Sequence, residues 1–135
     1  MWNMMPYFFF TRSKRSCETN ISPAPAAGTT GPIALAGNLA LATAEALAVI
    51  AVAQTLHPGL PVIFGLQCYG ADLRSGNIAI GSPAYARQAQ AGARLARYYR
   101  LPSRGGGAVT DARSVDVQAA SESMLAIFAA AAADI

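Results

Sequence analysis

Apolar and polar positions along this chain fall into blocks that predict three strand–helix units. Runs that favour strands begin near positions 21, 61 and 101, about 40 residues apart, and each is followed by a turn and a helical segment. Units of this kind, joined in series, build a parallel sheet with right-handed crossovers. The pattern predicts an α/β fold, and a doubly wound sheet and an eight-stranded barrel both use it.

The first unit starts with a weak strand candidate at Ile21–Ala24, followed by a Gly/Thr turn region at 27–31. A helix is predicted from Pro32 to Leu56. Proline suits a first helical position because its missing N–H would be unpaired there, and His57-Pro58-Gly59 ends the helix.

The second unit pairs a buried strand with a clearly amphipathic helix. Pro61–Leu66 is a short apolar run with β-branched and aromatic residues, as in strands that are buried on both faces. After a loop at 67–81, Ser82 and Pro83 are predicted to cap and open the helix. Its apolar stripe is Tyr85, Ala89, Gly92, Ala96 and Tyr99, and its polar stripe is Arg87, Gln90, Arg94 and Arg97.

The third unit has a short strand at Leu101–Arg104 and a glycine turn at 105–107. Ser114 is the predicted N-cap of a helix from Val115 onward, with Asp116 near the positive end of the helix dipole. The predicted apolar side of this helix is Val117, Ala120, Met124, Ile127 and Ala131.

The glycine-containing turns at 28–31 and 105–108 help to choose between a doubly wound sheet and an eight-stranded barrel. A dinucleotide site needs G-x-G-x-x-G at such a turn, and neither 28–31 nor 105–108 has it or a phosphate-binding Lys-Ser/Thr pair. A complete α/β barrel needs about 250 residues. The chain of 135 residues is therefore expected to hold three units of an incomplete (β/α)8 barrel.

Composition indicates a chain with little polar surface of its own. Hydrophobic residues make up 53% and charged residues 13%, against roughly 25% charged residues on average. We expect that some apolar faces of this chain are covered by further chain or by a partner protein, which could be a second copy of the chain. The net charge of +3 is not concentrated in a basic, aromatic-interleaved stripe, so no nucleic-acid partner is expected.

The start of the chain differs in character from the rest. Residues 1–20 lack a clear period, and we interpret them as a lead-in to a domain at 21–135. Positive charges follow the apolar segment at 1–10 instead of preceding it, which argues against a secretory signal. Cys17 and Cys68 lack metal-ligand spacing, so reduced thiols and no metal site are expected.

The apolar stretch Pro32–Leu56 is long enough to span a bilayer. Glu45 lies near its centre and the stretch is rich in alanine, which gains little from lipid. We favour a buried helix of a cytoplasmic protein without a membrane partner.

Three stretches of the chain resemble the trimethylamine methyltransferase family. Ser22–Ala40 is similar to the family's Gly/Thr turn and Ala-rich helix. Asp72–Tyr85 contains Asp-Leu-Arg-Ser-Gly and Gly-Ser-Pro-x-Tyr, and Leu101–Ser123 contains Leu-Pro-x-Arg-Gly-Gly-Gly, Thr-Asp and Asp-x-Gln-Ala-Ala-x-Glu-Ser. The resemblance covers residues 21 to about 130.

This resemblance implies a (β/α)8 barrel and an enzyme that passes a methyl group from a methylated amine to a corrinoid. Members act on trimethylamine, some with a pyrrolysine, or on quaternary amines such as glycine betaine. The corrinoid would be carried by a partner protein, so the resemblance implies that this chain binds no cofactor directly. The alternative is a non-catalytic or truncated assembly module.

Polar residues in the loops after the strands are the candidate site residues, because barrel sites lie there. Arg104, followed by Gly105 and Gly106, either grips a substrate carboxylate or forms an ordinary ion pair with Asp111 or Asp72. Asp72 and Arg74 either contact the corrinoid partner or order their own loop by pairing.

Two further groups are candidates for the amine itself. Asp111, Gln118 and Glu122 surround the start of the third helix. Gln118 and Glu122 share a helix face that either points inward, where Glu122 attracts a cation, or forms a solvated surface. Tyr69 is a candidate aromatic wall for a quaternary ammonium, whereas Tyr85 is expected to pack in the helix stripe. His57 forms no catalytic constellation, and the catalytic residue is not assigned.

Overall fold

The protein has a mixed α/β fold in residues 19–135, the part that the computed structural model describes. The strands are β1 (Thr19–Ile21), β2 (Ala26–Ala27), β3 (Val62–Phe64), β4 (Tyr69–Ala71) and β5 (Ile78–Ala79). The helices are α1 (Leu35–Leu56), α2 (Pro83–Tyr98) and α3 (Val117–Ala133). The predicted lead-in at 1–20 lies almost wholly outside the described residues, and β1 begins inside its last two positions.

The three predicted strand positions are neighbours with parallel pairing. β1 pairs with β3 in parallel, with Ile21 opposite Phe64. Phe64 also forms a parallel bridge with Ser103, where the third strand was predicted. The backbone N–H of Phe64 donates to Pro102 O at 2.8 Å, and Arg104 N–H donates back to Phe64 O at 3.3 Å. The parallel arrangement is confirmed, although the third strand is reduced to this single bridge.

The alignment of the first two strands continues into the loops that follow them. Gly65, Gln67 and Tyr69 donate backbone N–H groups to the carbonyls of Ile21, Pro23 and Pro25 at 2.9, 3.1 and 3.1 Å. This ladder leads into the parallel pair β2–β4. An antiparallel pair, β4–β5, follows within the loop predicted at 67–81.

The apolar core lies between this sheet and helices α1 and α2. Ile21 and Phe64, each 1% exposed, pack in one cluster with Ala46 of α1 and Ala96 of α2. Both helices therefore cover the same face of the strands. A doubly wound sheet places helices on both faces, so this arrangement differs from it.

Side chains alternate in direction along a strand, so Asn20 and Ser22 point to the face opposite Ile21. Asn20 and Ser22 are buried there, next to Gly65 on the neighbouring strand. Ser22 Oγ donates to Gly65 O at 2.6 Å. Ile63 is half-buried and Gly65 is buried on this face, so the prediction that the strand at Pro61–Leu66 is buried on both faces holds. Its neighbours on this face, Asn20 and Ser22, are polar.

Helix α2 begins where the sequence predicted. Ser82 is the N-cap, its hydroxyl accepts from Tyr85 N at 3.4 Å, and Pro83 is the first helical residue. The predicted stripe is buried at Tyr85, Ala89, Gly92 and Ala96 and half-buried at Tyr99, while the arginines are exposed.

The other two helix starts were predicted too early. Helix α1 begins at Leu35 instead of Pro32, and its N-cap Ala34 supplies no side-chain cap that would have marked the start. Helix α3 begins at Val117 because Asp116, not Ser114, is the N-cap and accepts from Ala119 N at 2.9 Å. Ser114 donates its hydroxyl to Asp116 at 3.0 Å and supports the cap from outside.

Among the helices of residues 19–135, α1 alone is long and apolar enough to cross a membrane by length and composition. Of the three helices, α1 separates its apolar and polar side chains onto different faces the least. Its buried stripe is Asn38, Ala42, Thr43 and Ala46. The expectation of a buried helix is therefore correct for one stripe only. Two of the four buried positions are polar, which is a feature of packing against protein.

The predicted apolar side of α3 is wrong. Val117, Met124 and Ile127 are 82%, 54% and 48% exposed, whereas Ala126, Ala129 and Ala133 are buried. Small alanines let α3 approach α2 closely, and the larger apolar side chains then point away. Phe128 adds to this uncovered apolar face, with 66% of its surface exposed.

Candidate functional site

The loops after the three parallel strand positions meet at one edge of the sheet. We call these loops, at 22–31, 65–82 and 104–113, the loop rim. The carboxylate of Asp111 joins two of them by accepting from Ile80 N at 3.1 Å and Gly81 N at 2.8 Å. The Arg-Gly-Gly-Gly turn and the Asp-Leu-Arg-Ser-Gly loop are consequently on the same side.

Two tyrosines form an aromatic pair in the loop rim. The rings of Tyr69 and Tyr85 stack with centroids 5.7 Å apart and an interplanar angle of 9°. Tyr85 is buried, as the sequence predicted, while Tyr69 is half-buried and donates its hydroxyl to Gln67 Oε1 at 2.6 Å. Burial is the main cause of the raised pKa of both phenols. The pair is neutral at neutral pH and presents aromatic surface.

The glycine turn after the third strand reaches this pair. A Cβ atom on Gly106 would collide with the Tyr85 hydroxyl, so the absence of a side chain allows the close approach. The Gly106 backbone and the positive charge of Arg104 partly offset the raised pKa of Tyr85. Gly105 lies against the side chain of Ile135. The side chain of Arg104 is exposed to solvent, and its positive charge acts on the phenol of Tyr85.

Within residues 19–135, Arg104 forms an ion pair with neither Asp111 nor Asp72, the two partners that the sequence offered. Asp111 binds backbone N–H groups, as described above. Asp72 accepts from Ser75 Oγ at 2.6 Å and from Arg74 N at 3.0 Å. These bonds lower the pKa of the Asp72 carboxyl. Asp72 therefore orders its own loop, through the backbone of Arg74 and not through pairing with its guanidinium.

Glu122 is the centre of a hydrogen-bond cluster that holds the loop before α3. Its carboxylate accepts from Thr110 Oγ1 at 2.6 Å, Asp111 N at 2.8 Å and Gln118 Nε2 at 2.8 Å. These donors, Thr110 first, lower the pKa of Glu122. Glu122 is half-buried and Gln118 exposed, so neither of the two simple alternatives, buried acid or solvated surface, describes this face.

Sequence reasoning missed two buried amides, Asn38 and Gln88, which are 0% and 1% exposed. Asn38 Nδ2 donates to Gln88 Oε1 at 2.9 Å and to Pro25 O at 3.1 Å. Gln88 Nε2 donates to Tyr69 O at 3.3 Å. Asn38 was considered only as a polar interruption of an apolar stretch, and Gln88 not at all. A pair 50 positions apart leaves no local signal.

Comparison with known proteins agrees with the motifs that line the loop rim. The model of the trimethylamine methyltransferase family matches residues 9–135. The chain belongs to the trimethylamine methyltransferase family. The match includes both the Asp-Leu-Arg-Ser-Gly loop and the Arg-Gly-Gly-Gly turn, so the resemblance seen in the sequence is confirmed.

Several curated relatives of this family member are named as methyltransferases. Glycine betaine methyltransferase from Desulfitobacterium hafniense (strain Y51) is 51% identical over 104 residues, 77% of this chain and 22% of that protein. L-carnitine:corrinoid methyltransferase from Eubacterium limosum is 30% identical over 95% of this chain and 26% of that protein. Trimethylamine methyltransferase MttB from Methanosarcina barkeri is 37% identical over 76% of this chain and 21% of that protein.

The extent of these matches limits what the family membership carries over. The chain spans between 21% and 26% of the length of these three relatives. Their names cover quaternary amines and trimethylamine alike. The comparisons therefore establish the family of this chain. Its amine substrate and its reaction are proposed below.

Proposed function

We propose that the loop rim forms one wall of the amine site of a corrinoid-dependent methyltransferase. The reaction moves a methyl group from the nitrogen of a methylated amine to the Co(I) corrinoid of a partner protein, and the amine leaves with one methyl group fewer. The amine is trimethylamine or a quaternary amine such as glycine betaine. The corrinoid belongs to the partner, and this chain binds no cofactor of its own.

The stacked Tyr69–Tyr85 pair, with the charge of Arg104 acting on Tyr85, is the observation that carries the proposal. A quaternary ammonium cannot donate a hydrogen bond, so a neutral aromatic surface is a suitable binding partner. A guanidinium recognises a carboxylate through paired N–H donors. An ammonium on the Tyr69 ring with its carboxylate on Arg104 is the arrangement expected for a betaine.

The remaining candidates are assigned to holding these groups in place. Gly105 and Gly106 let the backbone approach the amine and Tyr85. Asp111, Glu122 and Gln118 fix the loops through the hydrogen bonds described above, and Asp72 with Arg74 shapes the loop that faces the corrinoid partner. Because the oxygens of Glu122 already accept three hydrogen bonds, it supports the site and does not bind the amine directly.

We further propose that the fold is part of a (β/α)8 barrel in the cytoplasm. Sequential parallel strands with both α1 and α2 on one face support the barrel. The buried Asn38 and Thr43 support packing of α1 against protein instead of lipid. Recovery of the chain in the soluble fraction without detergent is the expected result, and recovery only with detergent would contradict the proposed location.

A non-catalytic assembly module is the second candidate. The uncovered apolar side chains of α3, including Met124, Ile127 and Phe128, favour it because such a face normally meets other protein. Size-exclusion chromatography of the 135-residue chain, together with an activity assay, distinguishes this module from a methyltransferase. A module of this kind elutes as an oligomer and remains inactive in the assay that follows.

Methyl transfer is tested with the chain and a reduced corrinoid protein. Glycine betaine and trimethylamine are supplied separately, and the absorbance change from Co(I) to methyl-cobalt is followed. The proposal expects methyl-cobalt to form with one of the amines and to be lost in the Tyr69→Ala variant. A Tyr98→Ala variant is the control, because Tyr98 is an exposed tyrosine on α2. Absence of methyl-cobalt with every methylated amine would contradict the enzymatic reading.

A further inference from the structure

The two buried amides close a circuit of hydrogen bonds around the strand that carries Tyr69. Pro25 O accepts from Tyr69 N at 3.1 Å and from Asn38 Nδ2 at 3.1 Å. The same Asn38 amide donates to Gln88 Oε1 at 2.9 Å. Gln88 Nε2 then donates to Tyr69 O at 3.3 Å. The circuit therefore grips both backbone polar groups of one residue, Tyr69.

The direction of each bond in the circuit is fixed by its partners. Pro25 O and Tyr69 O are carbonyl oxygens and only accept, so Asn38 and Gln88 must each turn an NH2 group towards them. Gln88 then presents Oε1 to Asn38, which supplies its second N–H. Turning either amide by 180° would set two acceptors against each other. One arrangement is thus specified without any charged group.

This arrangement has a cost that simple packing would avoid. The side-chain oxygen of Asn38 is buried and has no hydrogen-bond partner in residues 19–135. An unpaired buried acceptor destabilises the folded state, because it loses its hydration without gaining a hydrogen bond. That oxygen lies against Gly31, where a Cβ atom would collide with it. An apolar residue at position 38 would avoid the unpaired oxygen. We therefore explain the amide at this position by the hydrogen bonds that its NH2 group donates to Pro25 O and Gln88 Oε1.

We propose that Asn38 and Gln88 are positioning residues that fix the height and tilt of the Tyr69 ring. The inference rests on the proposed function, in which Tyr69 contacts the ammonium group of the amine. Neither amide touches the amine. Gln88 acts from the same helix that carries Tyr85, so it sets Tyr69 relative to its stacking partner. The circuit couples both rings to α1 and α2.

The circuit itself is tested in the wild-type chain by nuclear magnetic resonance. The side-chain NH2 protons of Asn38 and Gln88 are expected to exchange slowly with solvent, since both residues are fully buried. Those of Gln90, a half-buried residue of the same helix, serve as the control. Exchange of the Asn38 and Gln88 protons as fast as those of Gln90 would overturn the inference, and no variant has to fold for this result.

The effect on Tyr69 is tested with Gln88→Glu, which replaces the donor to Tyr69 O by an acceptor of the same size. Two measurements are made: the near-ultraviolet circular dichroism of the tyrosines without ligand, and the dissociation constant for glycine betaine. A changed tyrosine signal and an affinity reduced about fivefold or more are expected. The matched Gln90→Glu variant leaves both unchanged. Far-ultraviolet circular dichroism verifies that each variant retains its helices.

The outcomes separate the inference from the proposed function. An unchanged tyrosine signal in a folded Gln88→Glu variant would overturn the inference, whatever the ligand does. A changed signal with no glycine betaine or trimethylamine binding in the wild type would leave the circuit standing and contradict the proposed function. If Gln88→Glu does not fold, the exchange rates of the wild type decide the question.

Discussion

Asn38 Nδ2 and Gln88 Oε1 lie 2.9 Å apart and join α1 to α2 in the interior. Asn38→Asp removes the donor and places a carboxylate against two carbonyl-type oxygens. We expect a loss of about 3 kcal/mol in the free energy of unfolding, the usual result of an uncompensated buried charge. Urea denaturation at neutral pH measures it.

The exposed Asn77 provides the control for this change. Asn77→Asp makes the same chemical replacement in solvent, and the free energy of unfolding is expected to change by less than about 0.5 kcal/mol. Equal losses at positions 38 and 77 would show that burial of the amide pair does not contribute.

The glycine turn gives a second matched pair of substitutions. Gly106→Ala places a methyl group against the Tyr85 hydroxyl, whereas Gly107 has no neighbouring atom within 4 Å of an added Cβ. Overpacking of this kind costs roughly 1–3 kcal/mol. We expect Gly106→Ala to lower the melting temperature and weaken binding of glycine betaine. Gly107→Ala is expected to do neither, and equal effects of both would argue against the contact.

Stability at alkaline pH depends on Cys68. Burial, with a smaller effect of the Glu45 charge, raises the pKa of this thiol from 9.0 to about 12. The unfolded chain therefore loses the proton first, and stability that is full below pH 9 is lost as the pH rises towards 12. One group contributes a slope of up to about 1.4 kcal/mol per pH unit.

Urea denaturation between pH 8 and 11 tests this slope in wild type and Cys68→Ala. The variant is expected to be less stable at pH 8 but to lose less on going to higher pH. Tyr69 and Tyr85, whose pKa values are also raised, still steepen the decline above pH 10 in both proteins. An identical slope in the variant would mean that the thiol ionises as readily in the folded protein.

Stability at acid pH depends in part on Glu122. Its three donors lower its pKa, so the contribution is present above the ordinary carboxyl pKa and is lost as the pH falls through the lowered value. Glu122→Gln is expected to melt at a lower temperature than wild type at pH 7. The difference narrows as the pH falls through the lowered pKa of Glu122, because the wild-type carboxylate then becomes protonated. A constant difference across this range would indicate lost packing instead of lost charge.

Local signals in the sequence predicted helix α2 well and the third helix poorly. Ser82 and Pro83 mark the start of α2, and its arginines leave one apolar stripe. In α3 every position from 126 to 133 is apolar, so periodicity cannot select the buried face. The close approach of alanines to α2 selects it, and that is a property of two helices together.

The same distinction applies to the candidate site. Parallel strand–loop order was sufficient to predict that the loops with Tyr69 and Arg104 share one edge. The partners of Asp111 and Glu122, and the Asn38–Gln88 pair, depend on distances between elements far apart in sequence. No pattern within a single element specifies them.

Binding of the methylated amine to the loop rim at the tyrosine pair is tested most directly by titration of the 15N-labelled chain with glycine betaine. We expect saturable shifts of the backbone amides of Tyr69, Tyr85 and residues 104–106, reduced in Tyr69→Ala but not in Tyr98→Ala. Shifts confined to other parts of the chain, or none at all with either glycine betaine or trimethylamine, would contradict it.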